Sequence, residues 1–240
     1  MLSKEAFGEA DLYVQFLTRD WGVVSLLAKS ARKSKRRFVG GLDIFCHDEI
    51  FVKGDPMKER GLLLELSVLN SFTGIRDHLE RSLTAGRITQ WAKKLSSQAA
   101  PNPTVYSLLG QTLALIEKEA SEPRLELLSL VFKNKLLAEL GLRPRFDQCA
   151  KCSEDIDPGT SENVPLFDIS SGGMLCRPCS AKTHFSEYYK VEKDERRFLD
   201  YVTEMKFSQV RDVSFPSPKI NYLSRLLSQF ASFHTHIRLP

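Results

Sequence analysis

The sequence predicts an α+β fold of more than one domain, in which a small all-β module precedes an α-helical domain. Apolar residues alternate with a period of two over roughly residues 1 to 72, helical periodicity follows Gly74, and four cysteines form two Cys-x-x-Cys pairs. The composition, 42% hydrophobic and 27% charged over 240 residues, is typical of a folded globular protein and excludes disordered and collagen-like classes. We expect domains at residues 1–74 and 75–240.

Short strands are expected in the first domain. Leu12, Val14 and Phe16 alternate with polar residues, which is the pattern of a half-buried strand. The candidate strands are residues 12–16, 22–28, 44–52 and 64–68. Several short strands with turns between them, and no long helical pattern among them, indicate a small β-barrel or sandwich.

Helical periodicity dominates the second domain. The apolar residues that recur at multiples of four are Leu79, Leu83, Trp91 and Leu95. This helix is expected to stop at Pro101, because proline does not continue a helix. Apolar stripes predict three further helices, over residues 105–120, over residues 124–141, and from an N-cap at Ser217 towards the end of the chain. Each stripe is interpreted as a core-facing surface, and none is assigned a cofactor.

The paired cysteines are the strongest local signal. Cys149 and Cys152 form one pair, Cys176 and Cys179 form the other, and 23 residues separate the pairs. Two such turns direct four thiolates at one point, which is the tetrahedral sulfur set that Zn²⁺ prefers. Four thiolates leave no position for water or substrate. We therefore predict one structural zinc ion per chain, in a knuckle at about residues 142–185.

Disulfides and unliganded thiols are the alternatives for these cysteines. The expected absence of a secretory signal disfavours disulfides, and the clustering into two pairs disfavours unliganded thiols. Cys46 stands alone and is expected to be a small buried residue, and His184 is not needed as a ligand. A zinc-deaminase site is not supported, because Pro178 lies inside the second pair and not before it.

Positive charge is concentrated in residues 29–37, which we call the basic segment. The net charge of the chain is +4, and the segment holds six cations and no acid, so the rest of the chain is slightly acidic. Its cations are Lys29, Arg32, Lys33, Lys35, Arg36 and Arg37. A long loop with this charge is expected to bind nucleic-acid phosphates. The candidate faces for base stacking are Tyr13, Phe16, Trp21 and Phe38.

A solvated surface loop and a membrane-surface patch are the alternatives for the basic segment. The lack of an accompanying amphipathic helix disfavours the membrane patch. Nucleic-acid binding is expected to be largely independent of sequence. If about four to six phosphates are contacted, single-strand affinity should fall with salt at a log-log slope of about −3 to −4.

The order of these features resembles the RecO family of bacterial recombination mediators over nearly the whole chain. The resemblance rests on residues 7–11 (FGEAD), residues 17–22, residues 28–33 (AKSARK) and residues 140–144 (LGLRP). It implies an N-terminal oligonucleotide/oligosaccharide-binding (OB) fold, a C-terminal helical domain and an inserted zinc knuckle. Members of the family commonly have a longer first strand, and we expect the first strand here to be short or partly missing. By this resemblance, the six cations of the basic segment would contact DNA.

The resemblance also implies a function. Members of this family bind single- and double-stranded DNA, anneal complementary strands coated with single-strand-binding protein, and act with RecR to load the RecA recombinase. Grooves between the C-terminal helices would receive the C-terminal tail of single-strand-binding protein. Such proteins are not usually described as enzymes, so we expect no catalytic residue. The expected compartment is the bacterial cytoplasm, at the nucleoid, with no membrane partner.

Two other classes of function remain as alternatives. A zinc-containing RNA-binding or transcription-associated protein would use the same basic segment and cysteine set, and a strand-annealing assay separates it from a recombination mediator. A hydrolytic enzyme with dispersed catalytic residues is the second alternative, because acid and base groups need no sequence motif. Release of nucleotides from DNA or RNA would favour it.

Overall fold

The computed structural model describes residues 1–56, 61–96, 100–156, 165–184 and 187–240. The chain forms two compact units, Met1–Leu125 and Glu126–Pro240. The domain boundary expected between residues 74 and 75 differs from the boundary between these two units and stays a prediction.

The first unit contains a mostly antiparallel sheet. Its strands are β1 (Ser3–Phe7), β2 (Asp11–Thr18), β3 (Gly22–Ala28), β4 (His47–Lys53) and β5 (Leu62–Asn70). Among the described residues, these strands form a five-stranded sheet in the order β1-β2-β3-β5-β4, in which β3 and β5 run parallel. This is the Greek-key order of an OB-fold-like barrel, so the predicted fold class is confirmed.

Contacts of the segment before β4 bring the two edges of this sheet together. The backbone N–H of Phe45 donates to the carbonyl oxygen of Met1 at 3.1 Å. The ammonium group of Lys4 on β1 lies 2.9 Å from a carboxylate oxygen of Asp43. Strand β1 has five residues, and these contacts connect it to the other edge of the barrel.

The alternating residues of β2 and β3 form the barrel core. Val14, Phe16, Val24 and Leu26 are at most 3% exposed, as their spacing of two residues predicts. The predicted strands over residues 12–16 and 22–28 are therefore confirmed.

Strand β5 departs from the predicted alternation. Leu64 and Val68 are exposed, whereas Leu63 and Leu66 are buried. The physical reason is a register shift in the pairing of β4 with β5, which leaves Leu64 without a partner on the opposite strand. Such a bulge changes which side chains face the core, so Leu64 does not share the face of Leu66, and the expected alternation is wrong at Leu64.

Helices follow the sheet along the chain. They are α1 (Thr73–Arg76), α2 (Leu79–Ser96), α3 (Pro103–Ile116) and α4 (Glu122–Glu139). On α2, Trp91 and Leu95 are buried, but Leu79 is 71% exposed and Leu83 is 50% exposed. A step of four residues turns a helix about 40° past a full revolution, so Leu79 and Leu95 lie on nearly opposite faces. The predicted helix is confirmed, and its predicted stripe is wrong.

The second unit contains a small sheet and further helices. These elements are β6 (Leu166–Asp168), β7 (Gly173–Leu175), α5 (Arg177–Ser180), β8 (Tyr188–Lys190), α6 (Lys193–Glu204) and α7 (Ser217–Thr235). The fully buried ring of Phe167 lies 5.3 Å from the ring of Phe146 and 6.1 Å from that of Phe230 on α7. Pro216, and not the expected Ser217, is the N-cap of α7. No helix in the described ranges is long and apolar enough to cross a membrane.

Candidate nucleic-acid interface and metal centre

The basic segment is anchored in the barrel core at both ends. It contains a 3-10 helix, Ala31–Lys33, within the region predicted to be a loop. Ala28, the residue before the segment, is fully buried, and Phe38, the residue after it, is 5% exposed; both belong to the barrel core. The six cations therefore lie between two buried residues, and Ala31, which is 7% exposed, anchors the segment from within.

Backbone hydrogen bonds also tie the basic segment to β2 and to the β1–β2 turn. Ser30 has a left-handed backbone, with φ 54°, and its N–H donates to a carboxylate oxygen of Asp11 at 2.7 Å. The N–H of Arg32 donates to the carbonyl oxygen of Ala10 at 3.0 Å. These bonds fix the segment beside the β1–β2 turn.

The six predicted DNA-binding cations divide into two groups. Arg32 donates to the carbonyl oxygen of Glu9 at 3.3 Å, and Arg37 donates to that of Lys29 at 2.7 Å and lies 4.8 Å from the centre of the Phe38 ring. The side chains that make no hydrogen bond to a described residue are those of Lys29, Lys33, Lys35 and Arg36. In the described part of the chain, no carboxylate forms an ion pair with any of the six.

The basic segment shares one rim of the barrel with two other loops. The N–H of Leu27, near the end of β3, donates to the carbonyl oxygen of Gly61 at 3.0 Å, and Leu27 pairs with Leu62 at the start of β5. The β1–β2 turn and the β4–β5 connection therefore reach the same rim. In OB folds these are the loops that contact oligonucleotides. Residues 57–60 of the β4–β5 connection lie outside the described residues.

Three of the four candidate stacking residues do not lie on this rim. Phe16 and Phe38 are buried in the barrel core, so their prediction as stacking faces is wrong. Trp21 is 40% exposed, but it lies in the β2–β3 turn. That turn is at the opposite end of the two strands, about 20 Å from the basic segment at 3.4 Å per residue.

Tyr13 is the candidate stacking residue that lies near the basic segment. It is 39% exposed, and its ring lies 4.7 Å from that of Phe7, which is 49% exposed, in an edge-to-face arrangement. Phe7 is the first residue of the FGEAD motif (residues 7–11) and is not among the predicted stacking residues. No period-two pattern over β1 (SKEAF) marks its exposed position.

The structure brings the four predicted metal ligands together. The sulfur atoms of Cys149, Cys152, Cys176 and Cys179 all lie within 4.8 Å of one another. Those of Cys152 and Cys176 are 3.6 Å apart. Around a tetrahedral Zn²⁺ with Zn–S bonds of about 2.3 Å, sulfur atoms are about 3.8 Å apart. The four residues therefore fit a zinc ion in number, element and spacing.

Backbone bonds position the two cysteine turns. The N–H of Ser153 donates to the carbonyl oxygen of Cys149 at 2.9 Å and closes the first turn. The N–H of Ala150 donates to the carbonyl oxygen of Met174 on β7 at 2.8 Å. Because Cys176 follows β7 directly and caps α5, this bond fixes one turn beside the other.

The thiols of Cys149 and Cys179 differ in pKa. Burial raises the pKa of the Cys149 thiol, but backbone N–H groups of Cys176 and Cys152 donate to its sulfur and bring the pKa down to about 6. A hydrogen bond with Cys176 raises the pKa of Cys179 to about 12. Since each thiol must lose its proton to bind a metal, metal affinity falls as pH falls. Cys46 is 1% exposed, as predicted for a small buried residue.

Proteins named DNA repair protein RecO are similar to this chain over most of its length. The one from Myxococcus xanthus is 32% identical over 190 residues, which is 78% of this chain and 72% of that protein. The one from Syntrophus aciditrophicus is 26% identical over 230 residues, covering 96% of this chain and 86% of that protein. The one from Desulfosudis oleivorans is 28% identical over 244 residues, covering 98% and 90%.

Two family models account for nearly the whole sequence. The model described as recombination protein O N terminal matches residues 1–72, and the one described as recombination protein O C terminal matches residues 76–240. Both agree with the resemblance inferred from the motifs, and the chain therefore belongs to the recombination protein O (RecO) family.

Proposed function

We propose that this protein acts in DNA repair and recombination as a strand-annealing mediator. It binds single- and double-stranded DNA through the basic segment, anneals complementary strands coated with single-strand-binding protein, and works with RecR to load RecA at the nucleoid. Membership of the RecO family supports this assignment. The observation that supports it most directly is that the six cations lie at the barrel rim whose loops contact oligonucleotides in other OB folds, with no described carboxylate paired to them.

Annealing follows from charge and needs no catalytic side chain. Two complementary strands repel each other through their phosphates. Cations of the basic segment, Lys35 and Arg36 for example, lower that repulsion and displace condensed counterions. When the coating protein is displaced, the exposed bases pair spontaneously. The C-terminal tail of single-strand-binding protein, received by the helical domain, would keep the mediator on coated strands.

We propose that the four cysteines hold one structural Zn²⁺ per chain. A bound zinc ion supplies a crosslink and positive charge to the thiolates, and performs no step of annealing, since the thiolates fill its four positions. In this proposal Cys149 is the buried ligand and Cys152 the exposed one, so the metal connects the interior of the knuckle to its surface.

Annealing of strands precoated with the cognate single-strand-binding protein tests the proposed function. Alanine at all six cations of the basic segment should abolish annealing and leave zinc content unchanged. Thermal unfolding should shift only slightly, because the substituted side chains other than the half-buried Arg37 are exposed. The readout is the rate of fluorescence quenching as labelled complementary strands pair.

The matched control removes the same number of charges from exposed positions of the second unit. Its substitutions to alanine are at Lys151, Lys182, Lys190, Lys193, Arg197 and Lys206. This variant should anneal at nearly the normal rate. Equal loss in both variants would show a dependence on net charge alone, and normal annealing by the basic-segment variant would refute the proposed role of the segment.

A further inference from the structure

We propose that Phe7 and Tyr13 form a nucleobase-binding platform that gives the protein a preference for single-stranded over duplex DNA. The inference rests on the proposed function and adds a ligand subsite to it. The two rings are in contact, are each more than one-third exposed, and lie on the same outer face of β1 and β2. Exposed aromatic rings beside a cationic surface bind unstacked bases of any sequence.

The pairing of the strands places this platform beside the basic segment. Tyr13 pairs with Leu27, two residues before Lys29. Phe7 is the last residue of β1 and leads into the turn that contacts Arg32 through two hydrogen bonds. A strand whose phosphates contact the basic segment therefore has its bases within reach of the two rings.

Other groups on this face limit the platform and orient the strand. Lys93 of α2 donates to the hydroxyl of Ser3 at 3.0 Å, so this contact lies at the end of β1 that is distant from Phe7. The exposed residue Glu5 is the cross-strand neighbour of Tyr13. Its carboxylate repels phosphate, which favours bases over the rings and the backbone towards the basic segment.

Duplex DNA gains little from such a platform, because its bases are already stacked inside the helix. The double variant Phe7→Ala with Tyr13→Ala should therefore lose about 5- to 100-fold in affinity for an oligothymidylate strand. Its affinity for a duplex of equal length should stay within about twofold, and its salt dependence should not change, because phosphate contacts are retained. Fluorescence anisotropy measures both affinities, and thermal unfolding checks the fold.

Three further variants decide the outcome. Trp21→Ala removes an equally exposed ring at the opposite end of the strands and should leave both affinities unchanged. Tyr13→Trp retains a stacking face and should retain single-strand affinity, and Tyr13→Ser tests the ring alone if the double variant does not fold. Unchanged single-strand affinity, or equal loss on single strands and duplex, would overturn the platform.

The failure of this inference is distinguishable from failure of the proposed function. If alanine substitution of the basic segment removes DNA binding while the platform variants bind single strands normally, the proposed function stands and the platform is refuted. If the basic-segment variant binds DNA normally, the proposed function fails, whatever the platform variants show.

Discussion

The cations of the basic segment, in the first unit, have different surroundings from two cations of the second unit. In the second unit, Arg143 donates to Asp200 at 3.0 Å and to Glu204 at 2.8 Å. Lys219 likewise lies 2.6 Å from Glu192 and 2.7 Å from Asp194. In the first unit, no carboxylate of the described residues pairs with the basic segment. The positive charge available to an external phosphate therefore depends on pairing and not on the number of cations.

The four cysteine thiolates are a third kind of charged group. We propose that a bound metal ion compensates their negative charge. Removing zinc with a chelator should cost the knuckle on the order of 10 kcal/mol of folding free energy. The loss of structure should be confined to the two cysteine turns, because the buried Phe146 and Phe167 rings remain packed against each other. Hydrogen exchange over residues 147–156 and 173–182, with zinc measured by atomic emission, checks this prediction.

Cys46 provides the control for metal binding. Cys46→Ala should leave one zinc ion per chain, whereas Cys149→Ala should lower the zinc content and increase exchange in both turns. Purified native protein that contains no zinc, with all thiols reduced, would contradict the assignment of the metal.

The first unit also contains a buried carboxyl group, that of Asp48. Both carboxylate oxygens of Asp48 are buried and have no hydrogen-bond partner among the described residues. Burial raises the pKa of this carboxyl from 3.8 to about 6, against the opposing attraction of the Met1 amine. The folded state therefore binds a proton more tightly than the unfolded state, and stability falls as pH rises from about 4 to 6.

Asp48→Asn removes this charge and should stabilise the protein at pH 8 by about 1 kcal/mol, after allowance for solvent screening. At pH 4, where the wild-type carboxyl is largely protonated when folded, the gain should nearly vanish. Urea unfolding at the two pH values measures the difference. Asp20→Asn, at an exposed position, should change stability little at either pH, and an equal gain for Asp48→Asn at both pH values would argue against the charge as its cause.

Local patterns predicted much of the fold and of the candidate sites. The period-two spacing of β2 and β3 and the spacing of the four cysteines were sufficient, because both depend on neighbours close in sequence. The exposure of Leu64 was not predictable, because it follows from a bulge in pairing with another strand. The burial of Phe38 was not predictable either, because Phe38 lies outside any alternating stretch and faces the core through tertiary packing. The outward position of Tyr13, in contrast, agrees with the local pattern of β2, in which Tyr13 alternates with Leu12, Val14 and Phe16.

The salt dependence of single-strand affinity tests the role of the basic segment. Four of its cations make no hydrogen bond to a described residue, so about four phosphate contacts and a log-log slope near −3 are predicted. The six-alanine variant should bind weakly with a slope near zero, and Arg143→Ala, which removes a paired cation, should retain the wild-type slope. A six-alanine variant that keeps the wild-type slope would contradict the account.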